Sequence, residues 1–113
     1  VKLLILDVDG VLTDGRIIYD CRGRDLKFFD VHDGLGVYLL KEMGIGTVLL
    51  TARASGTIKH RARDMGVLGV YEDANPKTEA FDKILKKYNV KENEACFVGD
   101  GLVDLSVMRR VGL

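Results

Sequence analysis

Asp7 and Asp9 stand one residue apart at the end of the apolar run Leu3-Leu4-Ile5-Leu6, and Gly10 follows them. Side chains alternate along a strand, so carboxylates at i and i+2 project to one face. Two acids that close repel each other and call for a cation, a shared proton or a metal-bound phosphate. Thr51-Ala52-Arg53, Asn75 with Lys77, and Gly99-Asp100-Gly101 each follow a later apolar run. Asp7, Asp9 and Asp100 together supply oxygen ligands suited to a hard divalent ion such as Mg²⁺. Thr51 can hydrogen-bond a phosphate oxygen, and Lys77 can neutralise its charge as a compact ammonium. That set suits phosphoryl transfer, in which positioning and charge neutralisation supply most of the catalysis.

Positioning such groups at one edge requires a particular order of elements. Buried strands are expected at Val1–Leu6, Gly46–Leu50, Val67–Tyr71 and Ala95–Val98, because each is a short apolar run. Helical stripes alternate with them: Leu35, Leu39 and Met43; Ile58, Ala62 and Met65; Ala80, Phe81, Ile84, Leu85 and Tyr88; Leu105, Met108 and Val111. Pro76 suits the first turn of the third helix. Strand–helix alternation implies right-handed βαβ units and a parallel sheet covered on both faces, an α/β Rossmann-like three-layer sandwich. Ligands bind such sheets beyond the carboxyl ends of the strands, where the polar residues collect.

Thr13 to Val31 interrupts the alternation. It reads as a β-hairpin, Arg16–Tyr19 and Asp25–Phe29, turning through Asp20-Cys21-Arg22-Gly23-Arg24. A flap of this kind beside the first carboxylates is expected to act as a lid or an assembly surface.

The totals narrow the class. The 113 residues form a single expected domain (1–113), 47% hydrophobic, with 17 basic and 17 acidic side chains and no net charge. That balance argues against a nucleic-acid partner. No apolar stretch approaches the roughly 20 residues that span a bilayer, so no membrane association is expected. Cys21 and Cys96 make no metal or redox spacing, which suits a cytoplasmic protein.

The motif Asp7-x-Asp9-Gly10-x-x-Thr13, with Thr51, Lys77 and Asp100-x-x-x-Asp104 in order, resembles the haloacid dehalogenase-type phosphatases along essentially the whole chain. The resemblance implies that Asp7 is the nucleophile and forms an aspartyl-phosphate, with Asp9 as general acid and base. It further implies Mg²⁺ held by Asp7, the backbone carbonyl of Asp9 and Asp100, with Asp104 supporting the site from behind. Asp7–Gly15, the hairpin in place of a large cap domain, and Phe29-Asp30-Val31-His32-Asp33-Gly34 resemble the 3-deoxy-D-manno-octulosonate 8-phosphate phosphatases. On that likeness Asp9, Asp30, Val31, His32, Asp33, Gly34, Tyr38 and Lys77 would border a phosphorylated sugar acid, in lipopolysaccharide sugar-acid biosynthesis. Arg53 and Arg61 would pair with its carboxylate. A homotetramer joined through the hairpin flap is implied too, as are a further strand and tail beyond Leu113.

Other readings stay open at this level. Enzymes for nine-carbon sugar acids are similar, but tend to carry an acidic residue where Arg53 stands. Arg61 lies among Lys59, His60 and Arg63, which by themselves make a basic helix face. A signalling receiver domain uses the same residue types, yet its phosphorylated Asp would end the second strand, where Thr51 stands instead. A catalytically weak phosphatase-like assembly module is the remaining alternative. Gly101 motivates it, because the subfamily commonly carries a second Asp there, and Thr51-Ala52-Arg53 replaces a more usual Ser-Gly-Arg.

Overall fold

The computed structural model describes residues 1–113. Its strands and helices run β1 (Leu3–Leu6), β2 (Ile18–Tyr19), β3 (Asp25–Leu26), α1 (Val31–Glu42), β4 (Gly46–Leu50), α2 (Gly56–Met65), β5 (Gly69–Tyr71), α3 (Lys77–Tyr88), β6 (Ala95–Val98) and α4 (Leu105–Met108). The four long strands form a parallel sheet in the order β5-β4-β1-β6, and β2 pairs with β3 as a separate antiparallel hairpin. No large cap domain interrupts this α/β arrangement.

Two apolar clusters sandwich the sheet. Leu3, Ile5, Val48, Leu50 and Phe97 face Phe81 and Ile84 of α3 and Val107 of α4. On the opposite face Leu6, Val8 and Leu49 pack with Val37 of α1 and with Ile58, Ala62 and Met65 of α2. The three expected layers are present, and the physical reason is period-two alternation in strands buried on both sides. Leu3 and Ile5 set the parity of β1, and Asp7 follows them toward the α3 side.

Several boundaries differ from expectation. The hairpin ladder is only two residues long on each side, pairing Ile18 with Leu26 and Tyr19 with Asp25. It stops at Leu26 because Lys27, the next residue, turns inward to Asp9. Its tip is tied by Asp20, whose carboxylate accepts from the Arg22 and Arg24 backbone N–H groups at 2.9 Å. β5 starts at Gly69 and not Val67, since the Val67 N–H still donates to Ala62 of the preceding helix. Pro76 precedes α3 as its N-cap, so Lys77 is the first helical residue. The last helical stripe splits into a 3₁₀ turn at Leu102–Asp104 and the four-residue α4. No helix is long and apolar enough to cross a membrane.

Candidate active site

The Asp7–Leu12 turn is anchored by its apolar members. Val8 and Leu12 are buried in the α1/α2 cluster, and the Leu12 N–H donates to the Val8 carbonyl at 2.8 Å. With Val8 directed into the core, Asp7 and Asp9 are left to face away from it. Gly10 has φ +85°, a left-handed conformation that glycine adopts without strain. A Cβ there would lie 1.8 Å from an Asp100 carboxylate oxygen, so glycine is also what lets Asp100 close over the turn.

Asp7, at the mouth of β1, is buried. Its Oδ1 accepts from the Val8 N–H at 2.8 Å and lies 3.1 Å from Lys77 Nζ. Burial pushes the Asp7 carboxyl above its ordinary 3.8; the Val8 N–H and Lys77 pull it down, and Asp104 adds a smaller upward push. Lys77 is itself 3% exposed and donates to Asp104 Oδ1 at 2.5 Å. Asp104, fully buried, accepts at Oδ2 from the backbone N–H groups of Asp100 (3.1 Å) and Gly101 (3.0 Å). One buried ammonium thus bridges two buried acids, and one of those acids shapes the loop that carries Asp100.

The acids drawn together are Asp7, Asp100 and Asp104, whose oxygens lie within 4.8 Å of one another. The spacing had suggested Asp7, Asp9 and Asp100. Asp104 is the poorest ligand of the three, because both its oxygens are already hydrogen-bonded inside the protein. Asp7 and Asp100, cradled by Gly10, therefore make the fitting oxygen pair for a hard cation. The Asp9 carboxylate is engaged elsewhere, with its Oδ1 2.6 Å from Lys27 Nζ. Sequence reasoning missed Lys27. The available signal was alternation, which puts Asp25 and Lys27 on one face of the second hairpin strand.

Thr51 is buried at the end of β4, where its Oγ1 accepts from the Arg53 N–H at 3.3 Å. Asp30 caps α1, accepting from the His32 N–H at 2.7 Å and lying 2.9 Å from His32 Nδ1. Arg61 donates to the Asp30 carbonyl at 2.7 Å and stacks over Phe29, 5.6 Å from the ring centroid. A Cβ on Gly34 would crowd its guanidinium at 3.1 Å. Val31, Asp33 and Gly34 complete the first turn of α1, one turn before the exposed Tyr38. Arg53 reaches the hairpin instead, 3.4 Å from the Tyr19 hydroxyl. No hydrogen bond or ion pair joins this second group to Asp7 or Asp9. Gly101 is open: a Cβ there would meet nothing closer than 3.6 Å, so space does not explain the missing carboxylate.

Comparison with known proteins agrees with this architecture. Residues 31–112 match the family model described as a haloacid dehalogenase-like hydrolase. The chain is 37% identical, over all 113 residues, to the 3-deoxy-D-manno-octulosonate 8-phosphate phosphatase KdsC of Salmonella typhi. The chain spans 60% of the length of that relative. The crystal structure of the Moraxella catarrhalis 3-deoxy-D-manno-octulosonate 8-phosphate phosphatase, in complex with magnesium, phosphate and KDO, superposes with a TM-score of 0.96. There the identity is 36%, covering 100% of this chain and 65% of the other. The same-named enzyme from Yersinia pestis gives a TM-score of 0.97 at 34% identity, with 100% and 61% covered. With its first carboxylate at the mouth of the central β1 and a buried lysine bridging it to a second acid, this chain belongs to the haloacid dehalogenase-like hydrolase family.

Proposed function

We propose that the protein is a Mg²⁺-dependent phosphomonoester hydrolase working through an aspartyl-phosphate, with 3-deoxy-D-manno-octulosonate 8-phosphate as substrate. The observation that carries this reading is the buried Asp7–Lys77–Asp104 bridge beside Asp100 and Gly10. Asp7 Oδ1 is held by Lys77 and the Val8 N–H, which leaves Oδ2 to attack phosphorus. As that bond forms, the bond from phosphorus to the ester oxygen breaks, and Asp9 delivers a proton to the departing alkoxide. Asp9 then takes a proton from water, whose oxygen attacks phosphorus, releases phosphate and returns Asp7 as a carboxylate. Thr51 and Lys77 bind phosphate oxygens throughout.

Asp7, Asp100 and the Asp9 backbone carbonyl would hold the ion, and when bound it supplies charge neutralisation for the phosphoryl oxygens. An acid whose carboxyl is raised by burial, facing an exposed Asp100 that accepts no hydrogen bond, is a donor set suited to a cation. Asp30, Val31, His32, Asp33, Gly34, Tyr38, Arg53 and Arg61 would border the sugar acid at the base of the hairpin. The test is phosphate release by the full-length protein from a panel of sugar-acid phosphates, with Mg²⁺ and with EDTA. Mg²⁺-dependent release favouring the eight-carbon ester is expected; absence of Mg²⁺-dependent release overturns the enzymatic reading in favour of an assembly module. Preference for a nine-carbon ester overturns the substrate assignment alone.

The hairpin supports assembly as a homotetramer, because Ile17, Tyr19, Leu26 and Phe28 project apolar surface to solvent. Light scattering on the full-length protein should give four times the chain mass. Ile17→Lys with Phe28→Glu should shift it to lower mass, and an unshifted tetramer would remove the hairpin from the interface.

A further inference from the structure

Lys27 is the one buried cation that the catalytic scheme leaves unused. It leaves β3 immediately after Leu26 and points inward, so that its side chain is 2% exposed. Its ammonium lies 2.6 Å from Asp9 Oδ1 and 3.2 Å from Asp25 Oδ2. The second oxygen of Asp25 is buried with no hydrogen-bond partner. Each acid of the Asp7/Asp9 pair thus has its own lysine: Lys77 enters from α3, and Lys27 enters from the hairpin.

We infer that Lys27 is a positioning residue for Asp9, fixing its carboxylate by one oxygen so that the other meets the leaving group, and latching the hairpin over the site. This role rests on the phosphatase reading and deepens it. Asp9 stands after the β1 strand has ended, on a turn whose Gly10 has no side chain to brace it. No hydrogen bond other than the one from Lys27 holds the Asp9 carboxylate. With Oδ1 occupied by Lys27, Oδ2 is the oxygen left to carry a proton to or from the reacting oxygen. Lifting the hairpin would part the Lys27 ammonium from Asp9 while Asp25, on the same strand, travels with it, so flap and proton shuttle are coupled through the Lys27–Asp9 pair.

General acid–base catalysis is steeply sensitive to placement, and its benefit depends on the leaving group. An alkoxide from a sugar phosphate needs a proton as it departs, whereas p-nitrophenolate does not. The experiment compares kcat/KM, which reports the step that breaks the ester bond, for full-length parent and Lys27→Met on both 3-deoxy-D-manno-octulosonate 8-phosphate and p-nitrophenyl phosphate. Lys27→Met should lose about 10-fold or more on the sugar phosphate and stay within about 3-fold of the parent on the aryl ester. Lys27→Arg, which keeps the charge and guards against failure of the Met variant to fold, should recover most of the loss. Equal losses on the two esters, or none on the sugar phosphate, would overturn the positioning role while leaving the phosphatase reading intact. A parent inactive on both esters with Mg²⁺ would overturn the phosphatase reading and take the role of Lys27 with it.

Discussion

Asp7→Asn is expected to abolish phosphate release while leaving the fold at least as stable as the parent. An amide oxygen cannot form the acyl phosphate, so release should drop by about 1,000-fold or more, leaving only binding and electrostatics. The stability half follows from burial, which raises the Asp7 carboxyl above 3.8. A carboxyl raised in the folded state favours folding when protonated and opposes it when ionised. That penalty is absent below 3.8 and grows as pH rises from there toward the folded value, so it is present at neutral pH in metal-free buffer. Asparagine removes the charge and keeps a Val8 N–H acceptor, although Lys77 then retains only Asp104 as a charged partner. Phosphate release with Mg²⁺, and a separate thermal melt at pH 7 in EDTA, decide it. Release above a tenth of the parent rate would end Asp7's role as nucleophile, and a large fall in melting temperature would show that its charge stabilises the fold.

Asp104→Ala carries the largest expected cost to stability. It leaves the Lys77 ammonium, 3% exposed, with only Asp7 beside it, and strips the Asp100 and Gly101 N–H groups of their acceptor. Removing one partner of a buried ion pair costs about 3–5 kcal/mol. In a domain of this size that lowers the melting temperature by more than about 10 °C. Lys77→Met combined with Asp104→Leu should melt above Asp104→Ala, because the Lys77–Asp104 pair is removed whole and the one acid left without its lysine, Asp7, keeps the Val8 N–H. The double variant should still release no phosphate, since Lys77 is gone. Calorimetry on the three proteins checks this, and an Asp104→Ala melt within about 2 °C of the parent would refute the bridge as a structural element.

Much of the frame was legible because it depends on local pattern. The run Leu3–Leu6 could only be a buried strand, and alternation alone carried Asp7 to its mouth on the parity of Leu3 and Ile5. Gly46–Leu50 and Ala95–Val98 have the boundaries their apolar runs dictate. The hairpin was legible as a turn with two flanks, but its length was not. Nothing local to Phe28 and Phe29 announces that the preceding lysine breaks the ladder to reach a residue 18 positions earlier. Arg61 shows the same limit: its neighbours in sequence make it one of a basic run, while its partner is the Asp30 carbonyl.

The sequence by itself determined which chemical groups reach the carboxyl edge of the sheet, because strand parity and strand–helix alternation are short-range rules. Only the tertiary structure decided how those groups divide their partners. Asp104 joined Asp7 and Asp100 while Asp9 turned to Lys27, an outcome set by where two buried ammonium groups, from α3 and from the hairpin, could find carboxylates. A buried charge must be paired, and the pairing is settled in space, between residues 27 apart for Lys77 with Asp104 and 18 apart for Lys27 with Asp9.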